Sequence, residues 1–167
     1  QAQPTKDAQA GIKAAFGAVN RNGGIGGRQV ELVTEDDGGN KDRVLVNTKK
    51  LVEERKVLAL IGNTSGVGVE ASLGYLQSAK TPMLSPLSGN MGVRAKFNRY
   101  LFHTRAGYAA EMDKLAKHLA ALGLSRFAIV YLDDSGKTNS DVMRAALAKQ
   151  KLAPVADVPV SRNATTV

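Results

Sequence analysis

Apolar residues recur at helical spacing in five stretches of this chain and gather into short continuous runs between them. Ala8, Ile12, Ala15, Phe16 and Val19 share one face of a 3.6-residue repeat, which predicts an amphipathic helix over about residues 5 to 21. The glycine-rich run Asn22-Gly23-Gly24-Ile25-Gly26-Gly27 stops it, and Val30, Leu32 and Val33 predict a strand ending at Asp36-Asp37. Val44, Leu45, Thr48, Leu51 and Val52 lie on a second helical face, and Val57 to Ile61 is an unbroken apolar run of the kind a buried parallel strand shows.

The alternation continues to the end of the chain. Val67, Ala71, Tyr75, Leu76 and Ala79 suit a helix, and residues 82 to 85 and 100 to 104 suit short strands. Met112, Leu115, Ala116, Leu119 and Leu122 suit a helix closed by Gly123, followed by a buried strand from Phe127 to Leu132. Val142, Met143, Ala146 and Leu147 make a last helix, and Val155 to Val160 a last strand. Alternating helices and strands joined by short loops predict an α/β fold with a doubly wound parallel sheet.

With 167 residues and 43% hydrophobic content the chain can bury a core, as one ordinary domain or one lobe and part of another. Its longest apolar runs fall well short of the roughly 18 to 20 residues of a membrane span, so no direct membrane insertion is expected. The first residues, QAQPTKDAQAG, lack the basic-then-apolar pattern of a signal peptide. Zero cysteines exclude disulfides and thiolate metal sites. The net charge of +8 raises the question of nucleic acid. Lys49-Lys50, Arg94-Lys96-Arg99 and Lys149-Lys151 are separate clusters with acidic residues between them, and only eight aromatics are available to stack on bases. Most of these charges therefore read as solvated faces, and no nucleic-acid partner is expected.

Motifs that would signal cofactor chemistry are incomplete. Gly136-Lys137-Thr138 resembles the end of a phosphate-binding loop, but Tyr131 stands where its first glycine belongs. Asp133-Asp134-Ser135 accordingly reads as a turn after a strand with helix capping. Gly24-Ile25-Gly26 and Gly66-Val67-Gly68 both begin a dinucleotide fingerprint, and Gln29 and Ala71 occupy the third glycine position. His103 and His118 lack partners at metal-ligand spacing and read as structural, and Asp36-Asp37 read as helix capping and solvated charge. No metal and no cofactor is expected, and no nucleophile with a matching base suggests an enzyme.

Two loops offer polar groups where open α/β folds bind ligands, at the carboxyl ends of strands. Asn63, Thr64, Ser65 and Gly66 join the run Val57 to Ile61 to the next helix, and their N–H groups and hydroxyls suit an anion such as a carboxylate. The same residues also suit a simple helix N-cap by Thr64 or Ser65, which is compatible with binding. Ser85-Pro86-Leu87-Ser88-Gly89-Asn90 follows the next strand and supplies a hydroxyl, a carbonyl and a glycine.

The glycine turn Asn22 to Leu32, LALIGNTSG (58 to 66) and PMLSPLSG (82 to 89) together resemble the leucine/isoleucine/valine-binding type of periplasmic substrate-binding protein of ABC transporters, in the extracellular ligand-binding receptor family. The resemblance implies a periplasmic-binding-protein type I fold, with residues 1 to 105 as the first ligand-binding lobe and 106 to 167 as the start of the second. Arg105-Ala106-Gly107 would be the first crossing between them. Against the family pattern, the first strand of the first lobe is missing and the second lobe is incomplete, so about the first half of such a protein is covered.

In function the resemblance implies a non-enzymatic, periplasmic solute-binding protein. It would capture an amino acid or related small carboxylate in an inter-lobe cleft, close by hinge motion and deliver its ligand to an ABC transporter permease. A ligand-sensing domain of the same fold in a receptor or regulator is the alternative. In the family the segment after Ser-Pro grips the ligand through main-chain groups and a hydroxyl. Leu87, Ser88 and Gly89 hold those positions here, with Ser88 as the hydroxyl, although a gapless count sets Gly89 on the usual threonine and Gly66 on the usual serine. The aromatic residue that commonly precedes the glycine at position 136 is replaced by Ser135.

Overall fold

The computed structural model describes residues 3–133, 136–161 and 164. They belong to two compact units, Gln1–Ser88 with Gly92–Arg105, and Gly89–Met91 with Ala106–Val167. The chain thus leaves the first unit after Ser88, returns at Gly92 and leaves again after Arg105.

The first unit runs α1 (Gln3–Arg21), α2 (Lys41–Glu53), β1 (Leu60–Ile61), α3 (Gly66–Ala79), β2 (Met83–Leu84), a 3-10 turn at Gly92–Arg94, and β3 (Leu101–Phe102). Its three strands are parallel in the order β1-β2-β3, with Leu60 opposite Met83 and Met83 opposite Leu101. Leu60, Val69, Leu76, Met83 and Val93 form the core, flanked by Leu51, Val52, Val57, Leu73 and Leu101. On α2 the face marked by its periodicity turns inward at Val44 and Thr48. On α3 the inward face is Val69, Ser72 and Leu76, and of the face expected there Val67 and Ala71 are exposed, because α3 is apolar on more than one side and packing against α2 selects which side is buried. Gly68 lets the two helices approach, since a Cβ there would stand 2.4 Å from Val44 Cγ2. The buried hydroxyls remain satisfied, with Thr48 donating to the Val44 carbonyl and Ser72 to that of Gly68 at 2.7 and 2.8 Å.

The glycine-rich run is a two-residue hairpin turn. Gly26 and Gly27 have φ of +59° and +78°, which L side chains rarely adopt, and they let Ile25 and Arg28 exchange hydrogen bonds of 2.8 and 3.1 Å. The strand expected at Val30 to Val33 does not follow. Val30 instead donates to Asn20 Oδ1 and accepts from Asn20 Nδ2, both at 2.8 Å, so a side chain at the end of α1 takes the place of a neighbouring strand. The apolar run Val57 to Ile61 is likewise laddered only at Leu60 and Ile61, and Leu58 is 89% exposed. Both corrections have one cause, because a strand exists only where a second backbone meets it. β2 covers one edge of β1, while residues 30–36 and 57–61 line a cavity of about 1110 Å³ that also takes in Ile12, Phe16, Val44 and Leu51.

The turn into α2 is built from acidic side chains. Asp36 and Asp37 accept from the N–H groups of Gly38 and Gly39 at 2.9 and 2.7 Å, and Asn40, unmarked by the sequence reading, caps α2 by accepting from Asp42 and Arg43.

The second unit contains α4 (Tyr108–Ala121), β4 (Phe127–Leu132), α5 (Lys137–Lys149) and β5 (Pro154–Val160). β4 and β5 are parallel, joined through α5 as a strand-helix-strand crossover. Ala116, Ile129, Ala146 and Leu147 form its core with Met112, Phe127, Tyr131, Met143 and Leu152 around them. At its surface Arg144 pairs with Asp141 and Asp157, and Lys149 with Asp113 at 2.6 Å. Among the described residues no helix is long and apolar enough to cross a membrane.

Candidate functional site

The two polar loops singled out from sequence leave adjacent parallel strands at the same end, one after β1 and one after β2. Register brings them into contact. The Leu87 N–H donates to the Asn63 carbonyl at 2.8 Å, so the loops are joined through main chain.

In the first loop Asn63 Oδ1 accepts from the Ser65 N–H at 2.9 Å, and Ser65 Oγ accepts from the Gly68 N–H at 3.1 Å. Ser65 is therefore the N-cap of α3, the reading that left Thr64 or Ser65 open, and Thr64 is exposed beside it. The first turn of α3 carries no acidic residue to offset the partial positive charge of the helix N-terminus. Gly66 begins that turn.

In the second loop Ser85 takes a left-handed φ of +50° and is held on both sides. Its N–H donates to the Phe102 carbonyl at 2.8 Å, and its Oγ accepts from Thr104 Oγ1 at 3.0 Å. Pro86 is buried, Leu87 is 40% exposed, and Ser88 is 7% exposed. Gly89 falls in the second unit, where its carbonyl accepts from the Tyr108 N–H at 2.8 Å and a Cβ would stand 2.4 Å from the Tyr108 ring. Of the expected site residues, Asn63, Thr64, Ser65, Gly66, Leu87 and Ser88 lie in the first unit, and close approach at Gly89 is made by an aromatic side chain.

Two arginines missed by the sequence reading shape this loop. Arg105 Nη1 donates to the Leu87 carbonyl at 2.9 Å, Arg94 Nη1 to the Ser88 carbonyl at 3.1 Å, and Arg94 Nη2 to the Arg105 carbonyl at 2.8 Å. Arg94 departs from the solvated charge expected of its cluster with Lys96 and Arg99. Lys96 and Arg99 are exposed, whereas Arg94 is half-buried and donates to the carbonyls of Ser88 and Arg105. No sequence signal marks such contacts, because the carbonyl partners are common to every residue.

His103 lines a small hollow with Val93, Arg94 and Leu101, and burial there, followed by the positive charge of Arg94, lowers its imidazole below the ordinary 6.5. Among the described residues no group of three His, Cys, Asp or Glu side chains could hold a metal. At Gly136 the N–H donates to the Leu132 carbonyl at 2.7 Å, closing the turn into α5. Asp133 accepts from Ser161 Oγ at 2.8 Å, while Asp134 and Ser135 lie outside the described residues.

The chain as a whole, over residues 1–166, matches the periplasmic binding protein family and belongs to it. A substrate-binding periplasmic protein from Ralstonia solanacearum is similar, with 28% identity and a TM-score of 0.84 over 93% of this chain and 44% of that one. An ABC transporter substrate-binding protein from Desulfitobacterium hafniense, in complex with Leu, shows 24% identity and a TM-score of 0.79 over 92% and 46%. A solute-binding protein of an ABC transporter from Rhodopseudomonas palustris BisB5, in complex with 3,4-dihydroxy benzoic acid, shows 17% identity and 0.73 over 86% and 40%. The fold is thus α/β with parallel sheets, of the periplasmic-binding-protein type I, and this chain spans less than half the length of these similar structures.

Proposed function

We propose that the chain belongs to a solute-binding protein that captures an amino acid or a related small carboxylate and hands it to an ABC transporter permease, without chemical change. Residues 1 to 105 serve as the first ligand-binding lobe and 106 to 167 as the start of the second, in the periplasm. The observation that carries the reading is the 2.8 Å bond from Leu87 to Asn63, which holds two polar loops together at the carboxyl ends of adjacent parallel strands, next to the N-terminus of α3. A carboxylate suits that place, because helix N-termini and clustered N–H groups favour negative charge. Leucine and 3,4-dihydroxybenzoic acid, bound by the two more distant similar structures, share a carboxyl group, which supports the same class of ligand. In this reading Asn63, Thr64, Ser65, Gly66, Leu87, Ser88 and Gly89 contact the ligand, with Ser88 supplying a hydroxyl.

Calorimetric titration with L-leucine and with 3,4-dihydroxybenzoate tests the proposal, followed by mass spectrometry of the ligand after prolonged incubation. Saturable uptake of unaltered ligand is expected. Recovery of a chemically changed product would replace the binding role with an enzymatic one.

A further inference from the structure

In the loop that follows β2 the peptide carbonyls of Leu87 and Ser88 each accept from an arginine. Arg94 closes the 3-10 turn Gly92–Arg94, and its neighbour Val93 is 2% exposed in the core of the first unit, so the guanidinium projects from an anchored base. Its fork spans two carbonyls, those of Ser88 at 3.1 Å and Arg105 at 2.8 Å. The Arg105 side chain in turn holds the Leu87 carbonyl at 2.9 Å. The two residues at which the chain leaves the first unit, Ser88 and Arg105, are thereby tied to one guanidinium.

Peptide geometry converts these contacts into a consequence for binding. All described peptide bonds are trans, and in a planar trans peptide the N–H points opposite to the C=O. Fixing the Leu87 carbonyl therefore fixes the direction of the Ser88 N–H, and fixing the Ser88 carbonyl fixes that of the Gly89 N–H. A cation on the carbonyl oxygen also polarises the peptide, which strengthens its N–H as a donor to an anion.

We propose that Arg94 and Arg105 are positioning residues of the ligand loop, which aim and polarise the N–H groups of Ser88 and Gly89 toward a carboxylate. This rests on the function proposed above, and the geometry demands a fork at position 94. A lysine there keeps the charge but places one ammonium where two carbonyls must be reached.

The test uses the whole chain with Arg94→Met, Arg94→Lys and Arg105→Met, and with Lys96→Met, an exposed neighbour, as control. Backbone ¹⁵N relaxation at Ser88 and Gly89 and hydrogen exchange at the Leu87 N–H report the loop without any ligand. Order parameters at Ser88 and Gly89 should fall from about 0.85 toward 0.6 in the two methionine variants, with Leu87 exchanging at least about tenfold faster. Arg94→Lys should restore neither, α3 should keep its protection, and Lys96→Met should match the wild type. Affinity for whichever of L-leucine and 3,4-dihydroxybenzoate the wild type binds should drop about tenfold in step. Unchanged loop order in both methionine variants overturns the proposal, as does full restoration by Arg94→Lys, which would leave only a field effect. A loosened loop with undiminished affinity overturns it too. Should the wild type take neither ligand, leucine and 3,4-dihydroxybenzoate are removed from the proposed function's ligand class, and the loop measurements by themselves decide whether the arginines hold the peptides.

Discussion

Ser88 is the residue at which the binding reading meets its sharpest test. It is only 7% exposed, and its carbonyl is held by Arg94. If the hydroxyl bonds a charged ligand group, Ser88→Ala should weaken binding by about 1.5 to 3 kcal/mol and leave the melting of the ligand-free protein nearly unchanged. Calorimetry beside thermal unfolding reads both quantities, and lowered stability with intact affinity would make Ser88 a turn residue only. At His103 the linkage has a definite sign. Its folded pKa lies below the ordinary 6.5, so the unfolded chain binds the proton more readily and stability falls as pH drops below 6.5 through the folded value. Arg94→Met should raise the His103 pKa in an NMR titration, because one cause of its depression is removed, although the larger one, burial, remains.

Between elements, the contact of α2 with α3 depends on the absence of one side chain. Gly68→Ala would set a methyl group 2.4 Å from Val44 Cγ2, so the helices must separate or Val44 must shift. The cost expected from overpacking is about 1 to 3 kcal/mol in urea unfolding, and Val44→Ala in the same chain should recover part of it. Additive losses in the double variant would mean that the clash is relieved elsewhere. Leucines in the same unit should respond according to their packing. Leu76, fully buried, should cost about 2 to 5 kcal/mol on truncation to alanine. Leu58, 89% exposed, should cost no more than about 0.5 kcal/mol.

At the scale of the whole molecule, the cavity of about 1110 Å³ in the first unit leaves Ile12, Phe16, Leu51 and the free edge of β1 without full cover. Apolar surface of this extent predicts strong fluorescence enhancement of anilinonaphthalene sulfonate by the folded protein at neutral pH. Absence of enhancement would indicate that the segment 30–36 closes over β1 in solution. Most helices and the first strand of the second unit were legible in the chain, because amphipathic periodicity and glycine stops act within a few turns of the residue that carries them. The full burial expected of that strand was not legible: only Ile129 of β4 is buried, and Val130 is 62% exposed. The hairpin at Gly26-Gly27 and the N-cap at Ser65 belong to the same local chemistry. Tertiary structure decided what needs a distant partner: that Val30 bonds Asn20 instead of a strand, that β1 shrinks to Leu60 and Ile61, and that Leu87 meets Asn63. It also decided that Arg94 and the exposed Arg105 donate to loop carbonyls, since a carbonyl that accepts from a guanidinium has no signature in the amino-acid sequence.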